Sequence, residues 1–163
     1  GKDTRLSNKT GVGNVYLERC NPYRFMVNKH HNRDGFSFSK SFQWKDKKIL
    51  IVEDDHLSIK FLNTVLRDTG ASLLLAREGD EAVNIVRQNT DLDLILMDVQ
   101  LPGIDGNEAT CRIREFNPNI PIIAQTAHAM SEDKHKCLQA GCNDYITKPI
   151  DIGELMNKLS NYL

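Results

Sequence analysis

The chain has 163 residues, of which 40% are hydrophobic, so it is long enough for one domain with an appendage but short for two full domains. Its 21 basic and 22 acidic residues give a formal net charge of -1, which disfavours nucleic acid or a membrane surface as the main partner. No apolar run reaches the ~20 residues that span a bilayer and the N-terminus lacks a signal-peptide pattern, so we expect a cytoplasmic protein, or the cytoplasmic part of a longer membrane-bound protein, without direct membrane contact.

Residues 1–46 form a first segment with little periodicity before its end. The alternating hydrophobic residues of Phe36–Phe42 predict one amphipathic strand. A segment of this kind buries too little surface to fold alone, so we interpret residues 1–46 as an N-terminal extension and linker. Because the chain begins at Gly1 without an initiator methionine, we expect it to be a piece of a longer protein.

Residues 47–163 alternate short apolar runs with longer amphipathic ones, which predicts one domain of five βα units around a parallel sheet. The predicted strands are Lys48–Val52, Ser72–Ala76, Leu94–Met97, Pro121–Gln125 and Asn143–Ile146. The predicted helices are His56–Asp68, Glu81–Gln88, Glu108–Glu115, Glu132–Ala140 and Ile152–Tyr162. The third strand is continuously apolar, as expected of a central strand that is buried on both faces.

Polar residues and glycines at the predicted helix ends agree with this division. The side-chain oxygens that we expect to cap helix N-termini belong to Asp55, Asp80, Ser131 and Asp151. Gly70 and Gly141 follow the first and fourth helices, where a left-handed conformation commonly ends a helix.

Charged and polar side chains follow four of the predicted strands. Glu53 and Asp54 follow the first strand, Asp98 the third, Thr126 the fourth and Lys148 the fifth. In such a sheet, ligands bind at the carboxyl ends of the strands, where the strand order reverses. Two like charges ~4 Å apart repel by roughly 4 kcal/mol at an effective dielectric of 20, so converging carboxylates need a cation or a proton. The pattern therefore predicts a Mg²⁺ site beside a reactive aspartate.

Residues 47–163 resemble the receiver domain of two-component signalling proteins. The motifs that carry the resemblance are Val52-Glu53-Asp54, Met97-Asp98, Leu101-Pro102, Asp105-Gly106, Gln125-Thr126-Ala127, Tyr145 and Lys148-Pro149. The resemblance implies a flavodoxin-like α/β fold, in which a doubly wound five-stranded parallel sheet of order 2-1-3-4-5 carries helices on both faces. It also implies phosphorylation by the phosphohistidine of a histidine kinase or of a histidine phosphotransfer protein.

The resemblance also implies roles for the strand-end residues. Asp98 would be the phosphoacceptor, and an aspartate at a strand end presents a carboxylate oxygen for in-line attack. Asp54 and Asp98 would ligate Mg²⁺, with Glu53 acting through water and the backbone carbonyl of Gln100 supplying another oxygen. Lys148 would pair with a phosphoryl oxygen as a point charge.

Other residues of the motifs would tune the response. Thr126 would hydrogen-bond the phosphorylated state, while Gln100 and His128 occupy the positions that tune hydrolysis in receivers. Tyr145 matches an aromatic residue whose rotamer reports phosphorylation, although ordinary packing explains it as well. We expect phosphorylation to shift the face that is made by the fourth helix, the fifth strand and the fifth helix, by biasing an existing equilibrium.

The N-terminal segment carries a weaker resemblance. The run Gly11-Val12-Gly13-Asn14-Val15, followed by Glu18-Arg19, is similar to the end of a histidine-kinase ATPase domain. This resemblance implies that the chain is the downstream end of a hybrid histidine kinase that cannot bind ATP productively by itself. The chain ends with the fifth helix, so we expect no output domain within it.

Two other classes of function remain alternatives. Asp91-Leu92-Asp93 superficially resembles the motif of an aspartate-nucleophile phosphatase, but that motif should follow an apolar strand, whereas this one precedes a strand. A degenerate receiver that only binds partners is opposed by the intact acidic residues, Thr126 and Lys148. We do not expect a stand-alone enzyme, and the sequence leaves a phosphorylation-dependent dimer open.

Overall fold

A computed structural model describes residues 42–127 and 131–163 of the chain. His128, the segment Gly11–Val15 and all but the last residue of the predicted strand Phe36–Phe42 lie outside the described residues. The predictions made for them therefore stay predictions. Within the described residues, no helix is long and apolar enough to cross a membrane.

Five parallel strands form one sheet in the order β2-β1-β3-β4-β5, as predicted. The strands are β1 (Lys48–Val52), β2 (Ser72–Ala76), β3 (Leu94–Asp98), β4 (Ile122–Thr126) and β5 (Asp144–Thr147). The residue ranges of β1 and β2 match the prediction, whereas β3, β4 and β5 each end one residue later than predicted. The strand order reverses between β1 and β3, so their carboxyl ends flank the crevice where ligands bind in sheets of this kind.

Two apolar layers cover the sheet, because successive side chains of a strand point to opposite faces. On the first face, Leu50 and Ile95 pack with α2, α3 and α4, which are Gly79–Gln88, Gly106–Phe116 and Ser131–Ala140. On the second face, Ile49 and Leu94 pack with α1 (His56–Arg67) and α5 (Ile152–Ser160). We call this second side the α1/α5 face. Every residue of β3 is buried, which confirms the prediction of a central strand.

Three helices begin earlier than predicted: α2 at Gly79 instead of Glu81, α3 at Gly106 instead of Glu108, and α4 at Ser131 instead of Glu132. The prediction began at the first good helix former, since glycine disfavours a helix interior. Tight packing explains the glycines: a Cβ atom at Gly106 would lie 2.0 Å from the backbone oxygen of Asp98. The glycine therefore lets α3 start directly against the end of β3.

The predicted caps are partly confirmed. Asp55 and Asp151 cap α1 and α5, accepting hydrogen bonds from backbone N–H groups at 2.7 and 2.9 Å. Asp80 was a wrong prediction, because it lies inside α2, whose N-cap position is held by Glu78. Ser131 is the first residue of α4 and not the residue before it. Asp105, which the sequence reading missed as a cap, caps α3.

Both predicted helix-ending glycines have positive φ angles, 81° at Gly70 and 106° at Gly141. On the N-terminal side of β1, Trp44 is buried in the apolar layer of the α1/α5 face. Its backbone N–H donates to the Thr69 oxygen at 2.8 Å. The packed structure thus already includes residues that precede β1.

Candidate functional site

Four polar side chains converge at the carboxyl edge of the sheet. Glu53 directly follows β1, Asp98 ends β3, and Thr126 ends β4. Lys148 directly follows β5, and its backbone N–H donates to the Thr126 oxygen at 2.8 Å. The structure therefore brings together residues that are up to 95 positions apart in the chain.

Lys148 joins the two buried carboxylates of this edge. Its Nζ donates to Glu53 Oε2 and to Asp98 Oδ2, both at 2.7 Å. The Glu53 and Asp98 side chains are 0% and 5% exposed, and that of Lys148 is 21% exposed. An ion pair this far from water is screened only weakly by salt, so the three groups form one electrostatic unit.

Burial sets the protonation behaviour of this unit. It raises the pKa of Glu53 to about 7, against the opposing hydrogen bond from Lys148 and with support from the negative charge of Asp98. Burial acts to lower the pKa of Lys148, but its hydrogen bonds to Asp98 and Glu53, together with the charges of these two groups, outweigh this effect and the pKa is raised. The ammonium ion is therefore held in its charged form beside carboxylates that are costly to ionise together.

Backbone contacts fix the carboxylate of Asp98 and the loop that follows it. The Gln100 N–H donates to Asp98 Oδ1 at 3.0 Å. The Val99 N–H donates to the Gln125 oxygen at 2.9 Å, and the Gly106 N–H donates to the Val99 oxygen at 3.0 Å. The start of α3 is thus tied to the residue after Asp98, which leaves the carboxylate little freedom to turn.

Three carboxylates at this edge could hold a metal ion. Carboxylate oxygens of Glu53, Asp54 and Asp98 lie within 4.8 Å of one another. Asp54 is exposed, and the Asp55 N–H donates to Glu53 Oε1 at 3.2 Å. Hard oxygen ligands of this kind, with room for water on the exposed side, suit Mg²⁺. A single ammonium cannot neutralise three carboxylates, so the donor set fits a divalent cation.

Asp55, the neighbouring acid, has a different role. Its side chain accepts from the Ser58 N–H at 2.7 Å, and this hydrogen bond is the main cause of its lowered pKa. The prediction that Asp55 caps a helix is therefore confirmed.

Tyr145 lies beside this edge, half-buried on β5 and packed against the layer that contains α2, α3 and α4. Two ammonium groups flank its ring, Lys134 Nζ at 4.8 Å and Lys158 Nζ at 5.3 Å from the centroid. Lys158 also pairs with Asp144 at 2.7 Å. The tyrosine is therefore held by side chains of both α4 and α5, the two helices beside β5.

The sequence reading missed one buried polar residue, Gln125. The motif Gln125-Thr126-Ala127 gives this residue no role of its own, yet its side chain is wholly buried. The signal was present, because a glutamine within the apolar strand Ile122–Thr126 breaks the pattern of a strand that is buried on both faces.

A sequence model of the response regulator receiver domain matches residues 49–160. The chain belongs to this family. The receiver is 42% identical over 125 residues to hybrid signal transduction histidine kinase I of Dictyostelium discoideum, a match that covers 72% of this chain and 7% of that protein. The chain therefore spans only a small part of the length of this relative, and its similarity to a hybrid histidine kinase agrees with the sequence prediction.

Solved receivers share the fold. The receiver domain of sensor histidine kinase PA1611 from Pseudomonas aeruginosa PAO1 is 39% identical, with a TM-score of 0.67 over 71% of this chain and 96% of that one. That structure has a magnesium ion coordinated in its active site cleft. The receiver domain of Saccharomyces cerevisiae Ssk1, crystallised with the histidine phosphotransfer protein Ypd1, is 38% identical, with a TM-score of 0.69 over 74% of this chain and 90% of that one. The predicted family and fold are confirmed.

Proposed function

We propose that this receiver accepts a phosphoryl group on Asp98 from the phosphohistidine of a histidine kinase or a histidine phosphotransfer protein. The observation that carries the proposal is the Asp98 carboxylate itself. It is oriented by the Gln100 N–H on one oxygen and by Lys148 on the other, next to the acidic pair Glu53 and Asp54.

In the proposed step, a carboxylate oxygen of Asp98 attacks phosphorus and forms an O–P bond. The P–N bond to the donor histidine breaks, and its electron pair stays on the imidazole nitrogen. Lys148, whose ammonium already lies 2.7 Å from Asp98 Oδ2, then pairs with a phosphoryl oxygen. Phosphoryl transfer depends chiefly on positioning and charge stabilisation, and these contacts supply both.

Asp54, Asp98 and the backbone carbonyl of Gln100 would hold Mg²⁺, with Glu53 acting through water. When bound, the ion supplies neutralising charge for the phosphoryl oxygens. The matching receiver of PA1611 supports this assignment, because its active site cleft contains magnesium.

The signal would leave the site through Thr126 and Tyr145. Phosphorylation draws Thr126 toward the phosphoryl group and changes the space available to Tyr145, and this biases the face made by α4, β5 and α5 between two states. The contacts of Tyr145 with Lys134 and Lys158 support this route, because one ring touches both helices of that face. Gln100 and His128 would tune hydrolysis.

The partner and the setting of the receiver follow from its relatives. A hybrid histidine kinase is similar over 125 residues, and the similar Ssk1 receiver was solved with a phosphotransfer protein. We infer a phosphorelay in the cytoplasm, in which residues 1–46 are an extension and linker to a kinase module, and the end of this linker packs on the receiver through Trp44. A dimer formed on phosphorylation is an outcome that size-exclusion chromatography would detect.

Intact-mass spectrometry after incubation with acetyl phosphate tests the phosphoacceptor. We expect one phosphoryl adduct on the wild type with Mg²⁺, and none on Asp98→Asn. Asp93→Asn is the matched control, since Asp93 lies just before the other end of the same strand. An adduct on Asp98→Asn would reject Asp98 as the acceptor. An unmodified wild type that binds Mg²⁺ would indicate either a strict need for a phosphohistidine donor or a receiver that has lost the chemistry and only binds partners; incubation with a phosphorylated histidine phosphotransfer protein separates the two.

A further inference from the structure

Gln125 is a buried amide that the proposed chemistry has not used. Gln125 is 0% exposed. Within residues 42–127 and 131–163, neither its Oε1 nor its Nε2 has a hydrogen-bond partner. Buried polar groups are nearly always paired, because leaving one unpaired forfeits its hydration. An apolar residue would fill this position in the strand at lower cost, so the glutamine needs an explanation.

The register of the sheet places Gln125 in the same row as the acidic residues. Asp98 pairs with Gln125 across β3 and β4, and Gln125 pairs with Ile146 across β4 and β5. Val52 pairs with Met97 across β1 and β3, so the next residues, Glu53 and Asp98, lie level with each other. Alternation puts these side chains on the α1/α5 face, since Ile146 packs in its apolar layer. Across this edge the row reads carboxylate, carboxylate, amide, apolar.

The side chain of Lys148 crosses this row. It starts beyond Ile146, two positions along the chain and therefore on the same face. Its ammonium reaches Asp98 at the end of β3 and Glu53 after β1. Because β4 lies between β5 and β3, the side chain must pass over the end of β4. The β4 residue at this level on this face is Gln125.

An ammonium ion has three N–H donors. Within the described residues, the side-chain hydrogen bonds of Lys148 use two of them, to Glu53 and Asp98. The amide oxygen of Gln125 is an acceptor that needs a donor. A phosphoryl group on Asp98 would attract the ammonium away from Glu53, toward β3 and β4 and so toward this oxygen.

We propose that Gln125 is a positioning residue for Lys148, whose Oε1 accepts a hydrogen bond from the ammonium when Lys148 turns to a phosphoryl group on Asp98. This inference rests on the proposed function. In the unphosphorylated protein the amide has no partner among the described residues and lowers stability. After phosphorylation it accepts a hydrogen bond from Lys148, so the glutamine favours the phosphorylated arrangement.

Gln125→Met, which keeps the length of the side chain and removes the amide, tests the inference. Hydrogen bonds to charged groups are the stronger ones, so we expect about a tenfold lower rate of phosphorylation by acetyl phosphate. The unphosphorylated variant should be more stable than the wild type in urea, because a buried orphan group is gone. Ile123→Met, two residues earlier on the same face, controls for packing changes and should keep the wild-type rate within about twofold. Gln125→Leu serves in the same way if the Met variant misfolds.

A second readout separates positioning from packing. With beryllofluoride as the phosphoryl analogue, the ¹³Cε and ¹⁵Nζ resonances of Lys148 should differ between the wild type and Gln125→Met, but not between the wild type and Ile123→Met. Equal phosphorylation rates and unchanged Lys148 resonances in Gln125→Met would overturn the inference and leave an amide that a buried water satisfies. A wild type that takes up no phosphoryl group from acetyl phosphate or from a phosphorylated histidine phosphotransfer protein would instead reject the proposed function, and this inference with it.

Discussion

The two ends of β3 carry the same residue types in different arrangements. Before the strand, Asp93 pairs with Lys47 and Asp91 pairs with Lys48, so each carboxylate has its own ammonium. These side chains are 29% to 60% exposed. At the carboxyl end, Lys148 serves two carboxylates that are almost wholly buried, and Asp54 adds a third acid nearby.

The difference shows that charge balance and burial, and not residue type, distinguish the edge where we propose the reaction from the opposite edge. Exposed pairs with matched charges are screened and contribute little. A buried set with excess negative charge has a large unmet electrostatic demand, which a divalent cation can satisfy. The same comparison disfavours the phosphatase-like run Asp91-Leu92-Asp93 as a reactive site. It lies at the edge of the sheet opposite to Asp98, where each carboxylate is partly exposed and paired with a lysine.

Removing the ammonium from each end gives the largest expected contrast. Lys148→Met leaves Glu53 and Asp98 buried without a counter-ion, which should destabilise the fold by about 3 kcal/mol in the absence of Mg²⁺. Lys47→Met removes a half-exposed partner and should cost at most about 1 kcal/mol. Urea unfolding of both variants, with and without Mg²⁺, measures the difference. Equal losses at the two ends would show that burial does not set the strength of these pairs.

A methyl group at Gly106 should have the next largest effect. The added Cβ would meet the Asp98 backbone oxygen at 2.0 Å, so α3 must move away from β3. Overpacking of this kind costs roughly 1–3 kcal/mol, and here the shift also disturbs the carboxylate end of β3. Gly103→Ala is the control, since nothing lies within 4 Å of a Cβ there and only its positive φ is strained. The expected result is a larger loss of stability and of Mg²⁺ affinity for Gly106→Ala than for Gly103→Ala.

The elements and the site edge were predictable because local patterns decide them. Apolar runs such as Lys48–Val52 are bounded by turn residues, and the acids, Thr126 and Lys148 all lie at strand ends or just after them. Parallel strands then bring these residues to one edge without any further information. The assignment of roles came from the family resemblance, and the roles remain proposals.

Tertiary contacts decided what the sequence could not show. The early start of α3 at Gly106 depends on its approach to Asp98, and Asp80 lost its predicted capping role when α2 began at Gly79. The sequence does not show that Gln125 lies beside Asp98, because this depends on the register between β3 and β4. The sharing of Lys148 between two acids likewise needs coordinates.

Metal binding should separate the two ends of β3 in a third way. Asp54→Asn removes a carboxylate from the acidic cluster and should weaken Mg²⁺ binding about tenfold or more, equivalent to about 1.4 kcal/mol. Asp91→Asn, at the opposite edge, should leave the affinity unchanged. Isothermal titration calorimetry with Mg²⁺ measures both. Equal affinities for the two variants would place the cation elsewhere and would contradict the assignment of Asp54 and Asp98 as its carboxylate ligands.

The smallest expected effect distinguishes Asp55 from its acidic neighbours. Asp55→Ala removes the oxygen that accepts from the Ser58 N–H, so α1 should lose about 1 kcal/mol of capping stability. Mg²⁺ affinity should stay near the wild-type value, because the Asp55 side chain is committed to the cap. Asp80→Ala, inside α2, is the matched control and should lose less stability. If Asp55→Ala instead lowered Mg²⁺ affinity as much as Asp54→Asn, Asp55 would contribute to the metal site as well as to the cap of α1.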